Sequence, residues 1–399
     1  MHASAPLSPD VLGSAEGIVN PYPVYRAFRG PNPVRLMRLP AGATPGQTAP
    51  LYSWALLRHE SVVAALRDPA TFSAYSPQVL RNMPKLPMVH DDPPQHTRLR
   101  RLVNKAFSPQ RVASLAEPVG RIAQDLLDAS GRGPLEFMAA YAVPLPIQVI
   151  AQLLGLPPQD YPSLKLWSDA MISYVGIPPE ERARKLQALN DYLRQSIAER
   201  RAHPREDLIS ALLEAKVEGE SLSAEGILNF TMVLLIAGNE TTTNLIGNMM
   251  ALLADRPELW RRAREDRSLV DPIIEEVLRY ESPIQRRPRV TARPVRIGEV
   301  ELQAGELVDL YFGAANRDPD VFAEPEEFRP GRPENTEHVA FGFGPHFCLG
   351  AMLARLEGRI SLNALLDRFP VLERGQEPAV RQNSAPLSLG YRSLPLVLG

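Results

Sequence analysis

The sequence predicts a mainly α-helical chain with small β-sheets, built as a single domain. Three observations predict it. The 399 residues include 40 prolines, which gather at 31–50, 77–94, 144–162 and 283–294. Long segments with helical patterning lie between these gatherings, and proline marks helix boundaries. Finally, no Gly/Ser linker, charge block, low-complexity tract or internal repeat divides the chain, so residues 1–399 read as one unit.

Composition removes several function classes. Apolar residues make up 44% of the chain, enough for a sizeable core, and a net charge of -2 gives no reason to expect nucleic acid. The opening residues Met1 to Pro6 lack a basic start followed by an apolar run, so no signal peptide is expected. The most apolar helical segment, Ile227 to Ala237, falls short of the ~18–20 residues of a membrane span. One cysteine cannot form an internal disulfide, which fits a reducing, cytoplasmic setting.

Taken in order, residues 1–50 read as irregular apart from a short helix at Tyr22 to Phe28. Leu51 to Leu57 reads as a strand and Glu60 to Leu66 as a helix. Ser76 to Pro94 is a proline-rich loop carrying Leu80, Met83, Leu86, Met88 and Val89. Asp92-Pro93-Pro94 signals the start of a helix from Gln95 to Phe107, which ends before Pro109. His96 and Arg100 lie four apart and share one of its faces; Arg98, Arg101 and Lys105 share another. Residues 111–214 read as helices broken by prolines, with Trp167 to Pro179 (Met171, Ile172, Tyr174, Val175, Ile177) as an apolar turn between two of them.

Ser221 or Ser223 caps the longest helix, Ala224 to Ala254, roughly 45 Å long. Its centre, Ala237-Gly238-Asn239-Glu240-Thr241-Thr242-Thr243, combines a glycine, an acid and three β-branched residues, and predicts a local distortion. Glu276 and Arg279 stand three apart; alone they would be a common surface pair. Pro283 to Gly298 begins a second small sheet, with Gln285, Arg287 and Arg289 alternating onto one face. Leu387 to Tyr391 reads as a hairpin tip.

The only cysteine, Cys348, sits in Phe341-Gly342-Phe343-Gly344-Pro345-His346-Phe347-Cys348-Leu349-Gly350 and is followed by a helical segment from Ala351 to Phe369. A sulfur before a helix N-terminus is favoured as thiolate. Gly344 and Gly350 allow something large and flat to approach the backbone, and Phe341, Phe343 and Phe347 supply apolar cover. A lone cysteine is more often a small buried hydrophobe; here the spacing weighs against that reading.

The loop matches Phe-x-x-Gly-x-His-x-Cys-x-Gly through Phe341, Gly344, His346, Cys348 and Gly350. With Asp92-Pro93-Pro94-Gln95-His96, Ala237-Gly238-Asn239-Glu240-Thr241 and Glu276-Val277-Leu278-Arg279 in order, the chain resembles a soluble bacterial member of the cytochrome P450 family. The resemblance runs from about Tyr22 to the end and implies a triangular prism of helices holding haem b on Cys348. It makes His96, Arg100 and Arg289 propionate partners. It makes Ala237 and Gly238 the room for haem and dioxygen, Thr241 a hydrogen-bond donor where dioxygen is activated, and Glu240 a proton relay. Glu276 and Arg279 form a core triad with Arg332, or with Arg329. The proline-rich loop and the 167–179 turn border the substrate. Arg287 meets either a propionate or a polar end of the substrate.

The reaction this implies is insertion of one oxygen atom from dioxygen into a hydrophobic small molecule (polyketide, terpenoid, steroid or fatty acid), by hydroxylation or epoxidation. Electrons come from NAD(P)H through a reductase and a ferredoxin or flavodoxin, for which Arg98, Arg101 and Lys105 are a candidate docking stripe. The implied protein is a monomer without a membrane or nucleic-acid partner. A peroxide-driven peroxygenase, a non-catalytic haem sensor or carrier, and a helical protein with an incidental cysteine are the rivals. The first tends to lose the acid–alcohol pair kept here as Glu240 and Thr241; the second needs no proton relay; the third would purify without haem.

Overall fold

The computed structural model describes residues 15–30, 34–39, 51–77, 85–172, 177–217, 220–385 and 387–399. Helices dominate them, and the strands collect into small sheets.

The central helix, Ala224–Ala254, is the axis of the packing. Ser223 fixes its start: the side chain accepts a hydrogen bond from the Gly226 N–H at 3.0 Å, satisfying one of the orphan amides of the first turn. The helix is apolar on every side over most of its length, so it must be covered all round. Helices Pro144–Leu153, Tyr161–Ile172, Pro179–Ala202, Val270–Tyr280 and Ala351–Arg368 supply that cover. The distortion expected at 237–243 is corrected: the α-helix runs through it unbroken. Thr241 donates its hydroxyl to the Ala237 carbonyl at 2.7 Å, so the residue meets its polar demand inside the helix.

The sheets differ from expectation in three places. Residues 1–50 also hold a helix at Ala15–Val19 and a strand at Val34–Leu39, which pairs antiparallel with Leu51–Leu56. Arginines alternating with apolar residues between prolines hid this strand. Arg287–Thr291 does not start a second sheet. It joins the N-terminal strands through Leu307–Leu310, which runs parallel to Leu51–Leu56 and antiparallel to Arg287–Thr291. Within 111–214, Gly133–Glu136 is a strand that pairs with Pro395–Leu398 near the chain's end. A strand that short carries no readable periodicity.

Two boundaries also move. The helix Tyr161–Ile172 includes Trp167, whose ring packs 5.6 Å from that of Tyr192, so the first part of the expected turn is helix. The helix Gln95–Ala106 has Pro94 at its cap and no side-chain cap. Asp92 contributes its backbone carbonyl to the His96 N–H, while its carboxylate accepts from Ser73 Oγ and the Ala74 N–H.

Candidate active site

From Phe230 to Ala254 the central helix is buried at every residue except four: Ala237, Gly238, Glu240 and Thr241. Accessible residues in the middle of a covered helix line a cavity. These are the four residues assigned by motif. Asn239, between them, turns the other way and donates to Ser168 Oγ at 3.2 Å, tying the helix to its neighbour. Gly238 has Ile150 behind it, where a Cβ would lie 3.4 Å from Ile150 Cδ1. Thr242 and Thr243 are buried packing residues.

The cysteine loop is held by several elements at once. Gly344 takes φ +67°, and a Cβ there would lie 2.7 Å from the Leu66 carbonyl oxygen, so the loop rests directly on the end of helix His59–Arg67. The Arg67 guanidinium covers the Phe343 ring at 4.7 Å. Arg355 covers the Phe341 ring at 4.6 Å and is forked onto Glu275. The Cys348 N–H donates to the Phe341 carbonyl at 2.9 Å. Phe341 is half-buried, and Phe343 and Phe347 are exposed.

Cys348 Sγ is reached by solvent yet densely surrounded by protein, as befits a group on the wall of a recess. Burial pushes its thiol up, against the Gly350 N–H and the charges of Arg100, Arg287 and Arg355. The local field favours thiolate, but desolvation outweighs it, against the sequence expectation.

Cations converge on the same recess. The His96 ring lies 4.2 Å from the His346 ring, and Arg100 donates to the Phe347 carbonyl at 2.7 Å, so the Gln95–Ala106 helix docks on the cysteine loop through the predicted pair. Arg289 is buried on its strand and its pKa is lowered to about 10 by burial, with Arg287 adding to the fall and Asp92 opposing it. His346 is lowered to about 3 by burial and by the nearby Arg289, His96 and Arg100. It is therefore neutral at pH 7. His96 Nδ1 and His346 Nε2 are buried without hydrogen-bond partners among the described residues.

Gln285 does not share this face. It is buried against Tyr25, whose hydroxyl donates to Gln285 Oε1 at 3.1 Å, and it donates to the Ser282 carbonyl at 2.7 Å. It lies before the strand begins, so strand alternation does not govern it.

Glu240 has two partners that sequence reasoning missed. Lys165 Nζ lies 3.8 Å from Glu240 Oε2, and Asn244 Nδ2 lies 3.5 Å from Oε1. Lys165 also pairs with Asp169 one turn on. In sequence that pair reads as surface charge; Asn244, four residues past Glu240, was the one available signal. Burial raises the Glu240 carboxyl, with Lys165 opposing.

Away from the recess, Glu276 accepts from Arg279 and from Arg332 Nε in a fully buried cluster. Arg332 is thus the third member. Arg329 adds only its backbone N–H, at 2.7 Å, and its side chain pairs with Glu324. Among the other expected residues, Leu80 and Met83, Tyr174 and Val175, and the side chains of Lys105 and Ile172 lie outside the described residues. The C-terminal tip is present: Ile284 bridges Ser388, and Gly390 lies against the Asn244 side chain, where a Cβ would not fit.

These residues fit a haem. The recess offers a cysteine sulfur, a glycine whose Cβ would lie 4.0 Å from that sulfur (Gly350), unpartnered ring nitrogens and a guanidinium cluster suited to two carboxylates. The accessible residues of the central helix include the small Ala237 and Gly238.

Comparison with known proteins agrees. The cytochrome P450 family profile matches residues 159–396. The erythromycin C-12 hydroxylase of Saccharopolyspora erythraea is 37% identical, covering 87% of this chain and 89% of that protein. The vitamin D(3) 25-hydroxylase of Pseudonocardia autotrophica is 37% identical over 95% of this chain and 94% of its own. The structure of cytochrome P450 CYP109Q5 from Chondromyces apiculatus superposes with a TM-score of 0.86 at 37% identity, covering 97% of each chain. No helix among the described residues is long and apolar enough to cross a membrane.

Proposed function

The chain belongs to the cytochrome P450 family and is a cytochrome P450 monooxygenase, and from that premise we propose that Cys348 ligates haem b in an enzyme that oxygenates a hydrophobic small molecule. The substrate class is a polyketide, terpenoid, steroid or fatty acid, and the reaction is hydroxylation or epoxidation. The observation that carries the site assignment is the accessible notch of Ala237, Gly238, Glu240 and Thr241 in an otherwise covered helix.

Bound haem supplies the reductive activation of dioxygen and the transfer of one oxygen atom. The chain supplies the rest. Cys348 gives electron density through its thiolate. Arg100, Arg289 and His96 hold the propionates. Thr241 holds a proton at its hydroxyl, and Glu240 refills it from the side of Lys165 and Asp169. Two electrons enter from NAD(P)H through a reductase and a ferredoxin or flavodoxin. Exposed Arg98 and Arg101, on another face of the helix that carries Arg100, are the candidate docking stripe, and Arg67, Phe343 and Met352 are exposed on the cysteine-loop side, where an acidic partner would meet a basic and apolar surface.

The test is reconstitution of haem-loaded protein with a ferredoxin and reductase, following substrate-dependent NADPH oxidation together with product. Product formed with NADPH and not with peroxide alone supports the reading. Turnover by hydrogen peroxide alone at equal rate makes it a peroxygenase, and haem binding without turnover makes it a carrier.

A further inference from the structure

Arg287 is the member of the recess that the haem reading does not use. It opens the strand Arg287–Thr291, two residues before Arg289 and on the same face. Among the described residues its guanidinium has no hydrogen-bond or ion-pair partner. It lies close enough to Cys348 for their charges to interact, and close to Arg289 and His90. His90 accepts from the Leu86 N–H on Nδ1 and burial lowers it to about 4, so it is neutral at pH 7. Asp92 faces Arg289 and His96, but its carboxylate is engaged by Ser73 and the Ala74 N–H. Asp91 pairs with Lys85 and the Met88 N–H. Arg287 is only half-buried, so water reaches its guanidinium, but where a bound molecule excludes that water a guanidinium without an anion is costly. Its anion therefore comes from outside the chain.

The strand's position says which anion. Just ahead of Arg287, Ile284 bridges Ser388, and the Gln285 N–H donates to the Leu387 carbonyl at 2.8 Å. The same tip lays Gly390 against Asn244, whose amide reaches Glu240. The entry to the strand is thus tied through the 387–390 tip to Asn244 on the helix that carries the oxygen-activating notch, while Arg289, farther along, adjoins Asp92, His96 and His346, where the propionates belong. Arg100, Arg289 and His96 already provide donors for two propionates.

We propose that Arg287 binds a carboxylate of the substrate, so that the enzyme prefers anionic amphiphiles over neutral ones. This rests on the monooxygenase reading and narrows its substrate class.

The experiment titrates haem-loaded protein with two matched pairs: dodecanoic acid against 1-dodecanol, and deoxycholic acid against its methyl ester. The Soret shift is the first readout, and calorimetry repeats the titrations independently of the spectrum. In the wild type, at least one acid binds about tenfold or more tighter than its neutral partner. Arg287→Leu abolishes that preference and leaves the neutral ligand's affinity unchanged; Arg287→Lys keeps part of it. Three outcomes overturn the proposal: no acid preference in either pair, a preference that survives Arg287→Leu, or loss of haem occupancy in Arg287→Leu, which makes the guanidinium a propionate ligand. Failure of the monooxygenase reading is separate: it appears as protein lacking a thiolate-ligated haem spectrum or NADPH-driven product.

Discussion

The Thr241 hydroxyl donates to the Ala237 carbonyl at 2.7 Å, one turn back on the central helix, and both residues face the cavity. The bond parks the hydroxyl proton within its own helix while the oxygen can still accept a hydrogen bond, so passing a proton to the cavity requires the hydroxyl to turn off the Ala237 carbonyl. Thr241→Ala removes that station without disturbing the helix, because alanine is the better helix former. The expected result is unimpaired substrate binding and NADPH oxidation, with product per NADPH reduced roughly tenfold or more. Unchanged coupling, measured as product per NADPH, would remove Thr241 from the mechanism.

Glu240 should give the reaction a pH dependence of definite sign. Burial raises its carboxyl above the usual range, and Lys165 holds that rise in check. The acid form therefore persists to higher pH than in an exposed glutamate, and turnover falls as pH rises through the raised value. Lys165→Met removes the opposing cation, so the fall moves to higher pH. Glu240→Gln lowers turnover and flattens the profile. Rate–pH profiles of the three proteins check this, and a Lys165→Met profile shifted toward acid would contradict it.

The Glu276, Arg279 and Arg332 cluster is a matter of stability. Arg279 is forked onto Glu276 through two bonds of 2.8 Å, and all three side chains are buried. Removing Arg332 leaves Glu276 forked onto Arg279, so no charge is stranded, but it strips the Ala323 carbonyl of its donor and weakens the set of bonds on Glu276, at about 1–3 kcal/mol. Arg332→Leu should show that loss in urea denaturation. Arg329→Leu should cost little, since Arg329 reaches the cluster only through its backbone. The pair of variants separates the two arginines that the sequence left open.

Gly344 and Gly120 make a matched comparison. Gly344 has φ +67°, and a Cβ would press on the Leu66 carbonyl at 2.7 Å. Gly120 lies inside the helix Ala116–Ser130 with nothing within 4 Å of a Cβ. Gly344→Ala should destabilise by roughly 2 kcal/mol or more and weaken haem retention. Gly120→Ala should stabilise by up to about 1 kcal/mol. Melting curves and haem content of both variants check the opposite signs.

Local chemistry made much of this legible. A serine ahead of an apolar run marked the start of the central helix, and the cysteine loop and the His96–Arg100 spacing located the recess. What stayed hidden depends on contacts far apart in sequence. Lys165 meets Glu240 only because two helices cross, and its own partner Asp169 made it look like a surface pair. Gln285 left its expected face because Tyr25, from the other end of the chain, takes its side chain. Strand Val34–Leu39 is held by pairing with Leu51–Leu56, which no local pattern announces.

Glu357, on the helix that follows the cysteine, offers the last test. It is buried beside Tyr141 and Ser361, and its Oε2 has no partner among the described residues. Burial raises its carboxyl far above the usual range, so the folded protein keeps it protonated. The unfolded chain loses that proton near pH 4.3. Above that pH the unfolded state binds fewer protons than the folded one, so stability falls as pH rises, by up to about 1.4 kcal/mol per pH unit. Glu357→Gln has no proton to lose. Its stability relative to wild type should therefore climb steadily from mildly acidic to mildly alkaline pH, whatever constant offset the amide introduces. Urea denaturation of both proteins across that range gives the slope. A flat difference would mean that Glu357 is ionised in the fold, and that the polar cluster with Tyr141 and Ser361 holds a charge instead of a proton.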